Sequence, residues 1–144
     1  MTKRMLALAA AGLIAVSFAA CGDSGDDSSS SETTAAAISE DDFVTQANEI
    51  CATGNQELDS SEGPQGGDLE SFVTDTFVPN IQGQIDAISA LGAPEGQEDE
   101  VSQFLDDAQS ALDAISDDPS SLGQDSFADV NQQAADLGLT ECAG

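Results

Sequence analysis

From Ser39 onward apolar residues return every three or four positions, the spacing of one face of an α-helix. Ser39, followed by Glu40, Asp41 and Asp42, reads as an N-cap with acids in the first turn, where they complement the helix dipole. Phe43, Ala47, Ile50, Cys51 and Leu58 form the stripe of this first helix, and Gly54 with the run DSSEGPQGG at 59–67 is expected to end it. A second helix starts near Asp68 on the stripe Leu69, Phe72, Val73, Phe77, Ile81, Ile85 and Ile88. Pro79 interrupts it by lacking a backbone donor and crowding the preceding turn. The stripe keeps phase across Pro79, so one kinked helix is predicted, stopped by Gly92 and Pro94.

The third helix is the clearest. Val101, Phe104, Leu105, Ala108, Leu112 and Ile115 share one face, and Asp99, Asp106, Asp113 and Asp117 the opposite one. Asp118-Pro119 ends it, because a residue before proline is pushed out of helical conformation. A fourth helix is predicted from about Asp125 to Leu137, with Phe127, Val130, Ala134 and Leu137 inward and Gly138 as cap. Leu139 would pack back on the helix end as in a Schellman turn, and residues 139–144 form a strap that delivers Cys142. Four amphipathic helices on short connections predict an all-α domain over 39–144, an up-and-down four-helix bundle with a kinked second helix. All five phenylalanines beyond residue 20 fall on the inward stripes and are expected in its core.

Upstream the pattern is different. MTKR precedes the unbroken apolar run MLALAAAGLIAVSFAA, which reads as an export signal over 1–20 rather than a membrane span. Phe18-Ala19-Ala20-Cys21 resembles a bacterial lipobox, with phenylalanine where leucine is more common. That resemblance implies a diacylglycerol on the Cys21 thiol and cleavage that leaves Cys21 as the first residue. The other reading is a plain secretory signal cleaved after Ala19-Ala20, with Cys21 free. Residues 21–38, Cys21 and then GDSGDDSSSSETTAAAI, bury too little to offset the entropy of ordering. They read as a tether spanning about 20–25 Å on average.

The chain has three cysteines, and an exported protein seldom leaves a thiol unpaired. With Cys21 given to lipid, Cys51 and Cys142 remain as an even pair, which predicts one disulfide.

Charge narrows the chemistry further. All 28 Asp and Glu, and no Lys, Arg or His, lie in residues 21–144. Nucleic acids and phosphorylated ligands require cations to offset phosphate, and the chain beyond residue 20 offers none. A nucleophile activated by histidine lacks its base, and metal sites built on imidazole or clustered thiolates lack their ligands. Glu95, Glu98, Asp99 and Glu100 cluster at the start of the third helix and are weak candidates for divalent cations, whose preferred ligands are carboxylates. No twelve-residue calcium loop is present, and acids in a first turn already have a dipole explanation. No metal site, cofactor or catalytic residue is therefore assigned. Salt adaptation is a rival account of the acidity.

Four segments carry a family resemblance: FV…ANEIC at 43–51, FVPNIQGQID at 77–86, LGAP at 91–94 and GLTEC at 138–142. Together they resemble a group of small, exported, mostly helical lipoproteins of high-GC Gram-positive (actinobacterial) bacteria. That group has no assigned activity, so the resemblance implies a fold and a place, the outer face of the cytoplasmic membrane, but no reaction. The expected role is a lipid-anchored extracytoplasmic module that interacts non-catalytically with a cationic or neutral protein partner. The alternative is a surface lipoprotein that binds divalent cations or a small solute.

Overall fold

The computed structural model describes residues 37–64, 68–123 and 125–144. The expected signal at 1–20 and all of the expected tether at 21–38 but its last two residues lie outside the described residues. Within them the chain is all-helical, a helical bundle with one disulfide and no strand.

Helix α1, Glu40–Ser60, begins where its cap is built: the Asp42 N–H donates to the Ser39 hydroxyl at 3.2 Å, and that hydroxyl donates to the Asp42 carboxylate at 2.7 Å. Ile38, the residue before the cap, packs against the cluster that contains Phe43, the positions of a hydrophobic staple. Phe43, Ala47, Cys51 and Gly54 are its buried face. Gly54, expected to stop the helix, instead lies inside it with six residues still to come. An interior glycine costs about 1 kcal/mol against alanine, so a packing reason is required at this position.

The expected second helix runs without a break as α2, Leu69–Phe72, a π-helical turn, Val73–Phe77, and α3, Val78–Leu91. Backbone angles at Phe72, Val73, Phe77 and Val78 all stay right-handed helical. The distortion expected at Pro79 takes the form of the π turn: the Val78 N–H reaches back five residues to the Val73 carbonyl. Pro79 has no N–H of its own and crowds the carbonyl four residues earlier, and widening the turn ahead of it relieves that crowding. Steps of four in the stripe overshoot a 3.6-residue turn, so it does not stay centred on the core. Val73 and Ile88 are buried, Phe77, Ile81 and Ile85 only half so, and the polar Gln84 takes a core position.

Gly92, at φ +74°, stops α3. Helix α4, Glu98–Asp117, buries Val101, Phe104, Ala108, Leu112 and Ile115 as its pattern predicts, and Asp118 leaves helical angles before a 3-10 turn at Pro119–Ser121. Helix α5, Ala128–Asp136, starts three residues later than expected, because Asp125 sits at φ +57° and Phe127 at φ −107°. At its far end the Leu139 N–H bonds to the Ala134 carbonyl at 2.8 Å and the Gly138 N–H to that of Ala135 at 3.0 Å. These are the two bonds of a Schellman turn, with Gly138 at φ +77° and Leu139 fully buried.

Helix α1 packs on α3, α3 on α4, and α4 on α5. Their shared core is Phe43, Ala47, Cys51, Ile88, Val101, Phe104, Ala108, Val130, Ala134 and Leu139. Each packed pair carries an amide where basic chains would place a cation. Asn80 on α3 donates to Glu57 on α1 at 3.1 Å, Gln109 on α4 to Gln82 on α3 at 3.0 Å, and Gln133 on α5 to Asp107 on α4 at 2.7 Å. Along the helices Gln82, Gln109 and Gln132 each donate to the aspartate four residues on, at 2.9–3.0 Å. An amide bonds a carboxylate without neutralising it, so the repulsion among acids remains. Sodium chloride raised from about 0.01 M to about 1 M shortens the screening length from about 30 Å to about 3 Å. The melting temperature is expected to rise over that range, as thermal unfolding followed by circular dichroism will read. Calcium chloride at matched ionic strength is expected to raise it equally.

Candidate functional site

Asn48, Cys51 and Asn55 recur at three and four residues on α1 and so share one face, and the strap lies on it. The Asn48 amide donates to the Gly138 carbonyl at 3.1 Å and its oxygen accepts the Glu141 N–H at 2.9 Å. The Asn55 amide donates to the Glu141 carbonyl at 2.8 Å. Between them the predicted disulfide joins Cys51 to Cys142, 91 residues apart in sequence. One covalent bond and three hydrogen bonds therefore hold residues 138–142 against the first helix.

Under this strap lies a cavity of about 260 Å³. Ile81, Ile85 and Ile88 of α3, Phe104 and Ala108 of α4, and Val130 of α5 line it, together with Leu58 and the two disulfide cysteines. Its polar edge is Asn55, Gln84, Asn131 and Glu141. Phe77 and Phe127 also line it, and both line a second, outer recess of about 680 Å³, together with Asn131. Their rings stand 6.2 Å apart at 60°, and Phe72 continues the row 6.5 Å from Phe77. The expectation that all five phenylalanines are core is thereby corrected: Phe43 and Phe104 are buried, whereas Phe72, Phe77 and Phe127 are half-exposed. Two backbone irregularities put this pair where it is. Phe77 closes the π turn, and Phe127 follows two residues after left-handed Asp125. Single π turns inside α-helices recur at functional sites.

Gln84 is the polar residue that sequence patterning missed. Only 9% exposed, it donates to the Asn80 side chain at 2.7 Å, and Asn80 in turn donates to the Gly54 carbonyl at 3.2 Å. The missing side chain at Gly54 is what admits it, since a methyl group there would overlap the Gln84 amide and stand 2.9 Å from its Cγ. A glycine in mid-helix, separated by one connection from a glutamine on an otherwise apolar stripe, was the only available signal.

The acids singled out by sequence do not converge. Glu95, Glu98, Asp99 and Glu100 are all exposed, and the Glu98 carboxylate accepts the Gly96 N–H at 2.8 Å, in the turn ahead of α4. Among the described residues no group of three or more His, Cys, Asp or Glu is placed to hold a metal ion. Cys21 lies outside the described residues, and no described helix is long and apolar enough to cross a membrane. No protein-family model, curated protein or solved structure matches the chain.

Proposed function

We propose that the chain is an exported, lipid-anchored helical module that acts by non-catalytic binding at the outer face of the cytoplasmic membrane. The observation that carries this reading is the use of its cysteines. Cys51 and Cys142 are bonded to each other, and the third cysteine of the sequence is Cys21, at the border of the apolar run and the acidic tether. A disulfide belongs to oxidising compartments, which agrees with an export signal upstream. Two acyl chains at about 0.8 kcal/mol for each buried methylene suffice to hold such a chain on a bilayer. The acidic tether would then act as a spacer, repelled by anionic head groups. The order of helix contacts along the chain supports the up-and-down arrangement, and the motifs at 43–51, 77–86, 91–94 and 138–142 support kinship with the helical actinobacterial lipoproteins they resemble. Radiolabelled fatty acid is expected to label the wild-type chain in its host and not Cys21→Ser. Equal labelling of the two contradicts the anchor.

A second reading, a receptor for a small solute, is favoured by one specific observation, the apolar cavity beneath the strap. Sites for small molecules are concave, mostly apolar and edged by a few polar groups, as this one is. The divalent-cation form of that reading has no converging carboxylates to support it among the described residues.

A further inference from the structure

We propose that the cavity beneath the strap takes an amine, a protonated head group carried on an apolar body about the size of one aromatic ring with a short chain; this rests on the small-solute reading and names its ligand class. Size sets the body. A dry cavity of about 150 Å³ holds benzene, and this one offers about 260 Å³ lined by phenylalanine, isoleucine and valine.

The edge of the cavity sets the head group. Asn55 commits one amide N–H to the Glu141 carbonyl and Gln84 one to Asn80; each keeps its carbonyl oxygen as an acceptor and one further N–H. Glu141, held here through its backbone N–H and carbonyl, is the one acidic residue of the lining. Amide oxygens in a region of the chain that holds acids and no cation favour a ligand that donates hydrogen bonds and carries positive charge. The half-exposed rings of Phe77 and Phe127, also in the lining, add aromatic surface that attracts a cation. An anionic amphiphile such as a fatty acid meets the opposite conditions, because residues 21–144 hold no cation to receive its carboxylate. The long-range field acts in the same sense, drawing cations towards the protein and slowing the approach of anions.

Phenethylammonium, phenethyl alcohol and phenylacetate share one body and differ in head-group charge. Titrated calorimetrically into the full chain carrying Cys21→Ser at about 0.15 M salt, phenethylammonium is expected to saturate at one per chain. The alcohol should bind about tenfold more weakly and phenylacetate about a hundredfold more weakly. Ala108→Leu, which fills the cavity, is expected to abolish binding of the amine and the alcohol; Ile81→Phe, at a half-exposed lining position, serves if the first variant does not fold. Glu141→Gln is expected to weaken the amine about threefold and leave the alcohol unchanged. The alcohol binding as tightly as the amine overturns the ligand class and leaves a solute site. Failure of all three to bind, or ethylammonium binding as tightly as phenethylammonium, overturns the class and the solute site together, while the anchor is judged separately by its labelling.

Discussion

Replacement of both Cys51 and Cys142 by alanine is expected to lower the unfolding free energy by about 4–5 kcal/mol. The bond closes a loop of 91 residues, and a cross-link of that length removes about this much entropy from the unfolded chain. For a domain of this size the melting temperature would fall by roughly 20 °C. The loss is not easily offset elsewhere, because acids without basic partners repel one another in the compact state and the amides between helices do not neutralise them. Thermal unfolding of the double variant and the wild type, at one salt concentration, reads the difference. A fall of only a few degrees would mean that Asn48 and Asn55 hold the strap by themselves.

Gly54→Ala is the second large effect, and its sign runs against helix propensity. Alanine in an exposed helix interior stabilises by about 1 kcal/mol relative to glycine. Here the added methyl meets the Gln84 side chain as far back as its Cγ, and Gln84 would give up its bond to Asn80 if it moved. Overpacking costs about 1–3 kcal/mol, and a polar group left without its partner costs about as much again. A net loss of about 2–3 kcal/mol is expected from denaturant titration. The double variant Gly54→Ala, Gln84→Ala should recover most of the deficit, because the methyl then enters space that the amide has vacated. An equal loss in the single and double variants would place the conflict elsewhere on α1.

The contrast between these residues explains what sequence patterning could reach. Helix α4 was legible from end to end, since its apolar and acidic faces separate cleanly and Asp118-Pro119 stops it by local sterics. The Schellman turn was equally legible, as Gly138 supplies the left-handed angle and Leu139 the apolar residue that follows. The pairing of Cys51 with Cys142 followed from counting. Gly54 was misread because glycine is locally a breaker, and only the later arrival of Gln84 gives it a reason to be in a helix. Gln84 itself carries no local sign of burial, for its acceptor comes from the same helix and its room from another. Phe77 and Phe127 were placed correctly on inward-facing stripes, but the π turn and the late start of α5 leave them between the cavity and the outer recess rather than in the core. That cavity was illegible altogether: it is space left between four helices and a strap, and no single stripe describes it.

Mass spectrometry of the intact chain from its native host, without reduction, tests the account most directly. A first residue at Cys21 bearing a diacylglycerol, with the peptides of Cys51 and Cys142 linked, is the predicted result. A chain in which all three sulfurs are unmodified thiols contradicts it.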